Sequence, residues 1–111
     1  MASSKTSKAK SLEKVAVHAH AAANALKAMA SEPRLMILCA LSAGERPVNQ
    51  LADLTGQSQS AVSQHLAKLR AAGLVESRRE GQMIYYRCRA GIGHHVIDAL
   101  CSYYGNAAKS N

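Results

Sequence analysis

The sequence predicts a small, mainly α-helical domain closed by one short β-hairpin. Three observations predict it. Apolar residues recur at spacings of three and four along most of the chain, and Gly, Pro and Ser fall between those runs. Only the stretch around residues 74–88 is rich in β-formers, among them Val75, Ile84, Tyr85 and Tyr86. The 111 residues suffice for one core, and 48% of them are apolar with no Trp and no Phe, so the interior is aliphatic.

Residues 1–11 are Ser, Lys and Ala without apolar period and read as a disordered basic arm, residues 12–105 as the folded domain, and residues 106–111 as a flexible tail. Leu12, Val15, Ala19, Ala22, Leu26 and Met29 alternate three and four apart, a heptad seam suited to a second copy of the chain. Ser31-Glu32-Pro33 opens a second helix, with Ser as cap and Pro in the first turn. Its buried stripe is Leu35, Ile37, Leu38 and Leu41, and Ala43-Gly44 stops it.

Pro47 introduces a short helix, Val48 to Thr55, expected to bury Val48, Leu51 and Leu54; Gly56 supplies its left-handed stop. After a short turn Ser58 caps a fourth helix that ends near Ala72-Gly73, so the two helices follow a helix-turn-helix plan. Leu74–Arg79 and Gln82–Cys88 form the hairpin, turning at Glu80-Gly81. A last helix from about Gly93 to Tyr104 buries Val96, Ile97, Leu100 and one or both of Tyr103 and Tyr104.

The formal charge of +7 points to a polyanionic partner, nucleic acid or an anionic membrane surface. Its distribution is uneven. Lys5, Lys8, Lys10 and Lys14 against Glu13 give the first fourteen residues +3, and residues 56–89 carry +4. On a helical wheel Val62, Leu66 and Leu69 share one face of the fourth helix, while Ser60, Ser63, Gln64, Ala67 and Ala71 gather opposite, with Lys68 at the edge. A solvated helix would carry Glu and Lys there. A small, uncharged, hydrogen-bonding face suits the major groove instead, where amides and hydroxyls meet base edges. Lys68, Arg70, Arg78 and Arg79 flank it, where phosphates would lie.

Leu26-Lys27-Ala28-Met29-Ala30-Ser31-Glu32-Pro33-Arg34-Leu35 resembles the opening of the ArsR/SmtB family of winged helix-turn-helix regulators. So does Ser58-Gln59-Ser60-Ala61-Val62-Ser63-Gln64-His65-Leu66-Ala67-Lys68-Leu69-Arg70 with the following Gly73-Leu74-Val75, and Arg78–Tyr86 resembles the family's wing. The resemblance covers about residues 15–105. It implies four helices, a two-stranded wing and a fifth helix in a homodimer, with Val96, Leu100 and Tyr103 of the last helix joining the first-helix seam. It implies repression from an inverted-repeat operator on double-stranded DNA, and it adds Ser58, Gln59, His65 and Gln82 to the expected DNA contacts. Two-fold symmetry would set the reading helices about one DNA turn apart.

The residues that family members use for metal do not recur. Pro47–Asp53 contains no cysteine, and the late positions of the zinc-type site fall near Tyr103 and Asn106, which are poor zinc ligands. His94 and His95 are adjacent on a helix and point about 100° apart. No metal and no other cofactor is expected. The resemblance is closest to the non-metal BigR/SqrR-like and NolR-like branches. Cys39 matches the second-helix cysteine of the sulfide- and persulfide-responsive branch, but the position of its partner falls at Gly105. Cys101 lies one turn earlier, and Tyr104-Gly105 resembles the NolR-like ending. A Cys39/Cys101 switch responding to oxidant or reactive sulfur therefore stands beside a repressor with another effector or none.

Other classes fit less well. There is no phosphate-binding Gly loop and no His-Glu-x-x-His, and Ser63 and His65 face different ways on one helix, so catalysis is not expected. An interaction-only dimer would bind no DNA. No run reaches the ~18 apolar residues of a membrane helix, and His18, His20 and Asn24 interrupt the one signal-like stretch. Three sparse cysteines, Cys39, Cys88 and Cys101, suit reduced thiols in the cytoplasm.

Overall fold

In a computed structural model, which describes the backbone of residues 2–110 and the side chains of residues 8–105, eight elements follow one another. They are α1 (Ala2–Met29), α2 (Glu32–Ser42), β1 (Arg46–Pro47), α3 (Val48–Thr55), α4 (Gln59–Ala71), β2 (Val75–Glu80), β3 (Met83–Cys88) and α5 (Ile92–Ser110).

The local signals act as the residue types dictate. The Ser31 hydroxyl accepts from the Arg34 N–H, and the Ser58 hydroxyl accepts from the Ala61 N–H, so both helices start on a side-chain cap. Gly56 ends α3 with φ +67 and Ala72 ends α4. The hairpin turns through Gly81-Gln82, with Gly81 at φ +61 in the first central position, where glycine alone is unstrained.

A single aliphatic core holds these elements together. Val62, Leu66 and Leu69 of α4 meet Ile37, Leu38 and Leu41 of α2, Leu51 of α3, Leu74 and Val75 at the start of β2, and Ile97 of α5. Ala25 and Met29 carry α1 into the same cluster. Burying such side chains contributes about 1.5–3 kcal/mol each relative to leaving them in water.

Several boundaries and burials differ from the sequence reading. The α1 backbone is helical from Ala2, through most of the segment expected as an arm, in keeping with the helix preference of its Ala and Lys residues. Likewise α5 continues to Ser110, through the expected tail; Met1 and Asn111 lie outside the described residues. Leu54 is exposed because the buried face of α3 runs through Val48, Leu51 and Ala52, about 110° away on the wheel. Leu35 is only half-buried. Neither Tyr103 nor Tyr104 is buried; their rings stack edge-to-face on each other at 4.9 Å.

A third strand went unread. In β1, Arg46 and Pro47 pair with Tyr86 and Tyr85, giving an antiparallel sheet of order β1-β3-β2. Two residues, one of them a proline without an N–H, leave no strand pattern to detect. The pairing fastens the hairpin to the N-terminus of α3.

Candidate nucleic-acid interface

The α4 helix presents the surface that the wheel predicts. Val62, Leu66 and Leu69 are at most 1% exposed, and this inward face fixes the outward one. Gln59, Ser60, Ser63, Gln64, Ala67, Lys68 and Ala71 are all exposed, and so is the cap Ser58. Nothing of the described chain covers them. His65 is placed differently. It is half-buried at the edge of the core-facing side, and its Nδ1 is buried with no hydrogen-bond partner among the described residues. Of the ten expected DNA contacts it faces solvent least.

The wing tip borders the same surface. Gln82 and Met83 face Gln59 across an open cleft floored by Pro47, Val48 and Asn49. Three amide side chains thus line one groove, Asn49 from α3, Gln59 from α4 and Gln82 from the wing. The juxtaposition of Gln59 and Gln82, 23 residues apart, appears only once the hairpin folds back.

The flanking cations fall into two groups. Lys68, Arg70, Arg79 and Arg89 have no carboxylate within salt-bridge distance among the described residues. Arg79 is exposed at the wing, where its Nε donates to the Gly81 carbonyl at 3.0 Å. Arg78 and Arg87 are committed elsewhere. The Arg87 Nε donates to Glu76 at 2.7 Å. Arg78 donates from Nε (2.8 Å) and Nη2 (2.6 Å) to Glu45 Oε1 and from Nη1 (2.7 Å) to Glu80 Oε2. Its guanidinium also lies 4.8 Å from the centre of the Tyr85 ring. These bonds hold the Glu45 carboxyl below its usual range and raise the guanidinium further. The basic residues of the wing are therefore not equivalent. Arg89, just beyond β3 and one of the cations of the basic block 56–89, lies beside Gly73 and the His18–Ala22 stretch of α1.

The structure also brings together the two cysteines whose spacing was ambiguous. Cys39 of α2 and Cys101 of α5, 62 residues apart, have their sulfurs at 3.7 Å. Both are free thiols, Cys101 exposed and Cys39 half-buried. Burial, with the hydrogen bond and charge of Cys101 behind it, pushes the Cys39 thiol up to about 11. Cys88 is likewise raised to about 11, chiefly by burial, and its thiol donates to the Leu38 carbonyl at 3.7 Å. Gly105 is exposed, a turn beyond this contact. Among the described residues no three His, Cys, Asp or Glu side chains are grouped so as to hold a metal ion. His94 Nδ1 lies 3.4 Å from Asp98, four residues on.

A second exposed surface is apolar. Leu12 (69%), Val15 and Leu26 stand out from α1, with Ala19 exposed between them and Ala22 half-buried. Tyr103 (72%) stands out from α5, whose Val96 and Leu100 lie half-buried against the core. None of the described helices is long and apolar enough to cross a membrane.

Comparison with known proteins gives a consistent picture. Residues 31–77 match the family described as "Bacterial regulatory protein, arsR family". The chain is 47% identical over 88 residues to the nodulation protein NolR of Rhizobium meliloti, covering 79% of this chain and 72% of that one. It is 46% identical over 82 residues to the transcriptional activator HlyU of Vibrio cholerae, covering 74% and 76%. The structure of reduced HlyU superposes with a TM-score of 0.77 at 40% identity, covering 83% and 97%. The homodimeric winged helix-turn-helix domain of Mb0332 from Mycobacterium bovis superposes with a TM-score of 0.72 at 32% identity, covering 86% and 89%.

Proposed function

The chain belongs to the arsR family of bacterial regulatory proteins and has its winged helix-turn-helix fold, and on that premise we propose that it represses transcription as a homodimer on an inverted-repeat operator. One observation carries the reading: an exposed, nearly chargeless Ser/Gln/Ala face on α4, bordered by cations that no carboxylate among the described residues neutralises. The hydroxyls and amide of such a face can exchange water for base edges without desolvating a charge, and Ala67 and Ala71 let the helix sink. Ser60, Ser63 and Gln64 read bases. Ser58, Gln59 and Gln82 line the approach, and Lys68, Arg70 and Arg79 hold phosphates.

The seam of Leu12, Val15, Ala19, Ala22 and Leu26 on α1, with Val96, Leu100 and Tyr103 on α5, meets the same residues of a second copy. So many exposed apolar side chains on two helices are costly in water and suit an isologous interface. The homodimeric relative supports this assembly.

The signal is read at Cys39 and Cys101. A hydroperoxide oxidises the exposed Cys101 thiolate to the sulfenic acid, and attack by Cys39 sulfur expels water and forms the disulfide. Alternatively a persulfide donor passes its outer sulfur to Cys101, and Cys39 then displaces hydrogen sulfide to the same disulfide. Bond formation requires the sulfurs to close from 3.7 Å to about 2.05 Å. That movement draws α5, which carries the seam, toward α2, which packs on the helix-turn-helix.

The test is a gel-shift or anisotropy titration on duplexes enriched from a random pool, with reduced and peroxide-treated protein. Reduced protein binding an inverted repeat, and oxidised protein losing it unless Cys39→Ser or Cys101→Ser is present, is the expected result. A reporter fused to that operator sets the sign of regulation; higher expression with the protein present would make it an activator. Unchanged affinity after oxidation would leave the DNA-binding reading standing without the thiol switch.

A further inference from the structure

We propose that Arg78 is the positioning residue of the wing, and that Glu45, which acts only through it, is a determinant of operator affinity. This rests on the DNA-binding reading above and deepens it.

The geometry points to a strut across the sheet. Arg78 lies on β2, one edge; Tyr85, its register partner, lies on the central β3; Glu45 immediately precedes β1, the other edge. The Arg78 side chain therefore passes over the Tyr85 ring at 4.8 Å and spans the full width of the sheet to reach Glu45. Three nitrogens of its fork are engaged by two carboxylates at 2.6–2.8 Å. An isolated exposed ion pair contributes little, but a planar fork held by two carboxylates over a ring is the geometry in which such a pair is directional.

The position of the strut gives it leverage. The base of the hairpin is seated in the core by Val75, Tyr86 and Cys88, while toward its tip it is tied to the body by a two-residue ladder, Arg46↔Tyr86 and Pro47↔Tyr85, in which Pro47 has no N–H to donate. Pro47 is also the residue from which α3 springs. A tie between Arg78 and the residue before β1 thus fixes the angle of the wing relative to the start of the helix-turn-helix. Gln82 at the wing tip and Gln59 at the start of α4 border one cleft, so that angle sets their separation. A role for Arg78 as a phosphate contact runs against its surroundings, because Glu45 and Glu80 flank the guanidinium and would repel the phosphate.

The two roles predict opposite signs. Affinity for the selected operator duplex is measured across a range of salt for the full chain and for Glu45→Gln, Arg78→Lys and Arg79→Gln, with thermal melting of each. Glu45→Gln raises the net charge by one, so electrostatics alone would tighten binding. A strut instead predicts roughly three- to tenfold weaker binding with an unchanged salt slope, because the cations remain and only the wing loosens. Arg78→Lys weakens binding to a similar degree, since an ammonium keeps the charge but cannot make the fork. Arg79→Gln, by contrast, lowers the salt slope by about one. Tighter binding by Glu45→Gln, or full retention of affinity by Arg78→Lys, overturns the strut and leaves the DNA-binding reading intact. Failure of the unmodified protein to bind any duplex overturns both.

Discussion

In the proposed complex Gln64 and Arg79 make two kinds of contact, which single substitutions separate. Gln64 projects from the uncharged face of α4, where an amide can pair two atoms of one base. Gln64→Ala is expected to flatten preference at one base pair by about 1–3 kcal/mol while binding to unrelated DNA stays the same. Competition among operator variants checks it. The flanking Arg79 is expected to behave oppositely, weakening all sequences alike. The thiols carry a pH prediction. A thiol raised from 9.0 to about 11 on folding favours the folded state while protonated; that contribution is complete below the ordinary thiol range and is lost as pH rises toward about 11. Alkylation of Cys39 in the reduced protein should therefore be slow at pH 8 and still be accelerating above pH 9; a plateau near 9 would contradict the raised value. At this scale the residues of the reading face were legible in the sequence because helical spacing alone sorts them. His65 was not, since the wheel leaves it at an edge and only packing turns it inward. Glu45 carried no signal at all: it lies 33 residues from Arg78, and no local pattern links them.

Each helix shows which elements the sequence could specify. The start of α4 is set by one cap and one apolar stripe, and these agree, so its bounds were readable to a residue. Leu66→Ala should cost about 2–5 kcal/mol in denaturant unfolding, because a fully buried side chain at the meeting of α2, α3 and α4 leaves a cavity. A smaller loss would mean that the site collapses around the gap. The start of α5 offers a second test. A Cβ on Gly93 would lie 2.7 Å from Leu74 Cδ2, so Gly93→Ala requires the Leu74 side chain to move. The expected loss is about 1–3 kcal/mol, measured in the same way. The strand β1 and the contact between α2 and α5 were not legible, for related reasons. Two residues have no periodicity, and a one-turn offset between Cys101 and Gly105 cannot be judged without knowing how far α5 slides along α2. The burial of Leu54 failed differently: in a helix of eight residues two neighbouring faces both look apolar, and packing against α2 chose the one through Ala52.

For the whole molecule, the charge pattern matters more than its total. The +4 of the central block already subtracts Glu76 and Glu80, which hold Arg87 and Arg78, and it is carried by Lys68, Arg70, Arg79 and Arg89, for which the described residues offer no paired carboxylate. In the proposed dimer the apolar seam on α1 and α5 sets how two such blocks are aligned. Leu26→Lys should shift the sedimentation of the protein toward monomer and abolish binding to a full inverted repeat while leaving helical content unchanged. A dimer that survives would place the interface elsewhere. Selection of bound duplexes from a random pool, repeated with Gln64→Ala, tests the central claim most directly. The account predicts that the unmodified protein enriches an inverted repeat with half-site centres about one helical turn apart, and that Gln64→Ala enriches the same repeat with one position per half-site left free. Enrichment of no sequence at low salt, or of an identical motif by both proteins, would contradict it.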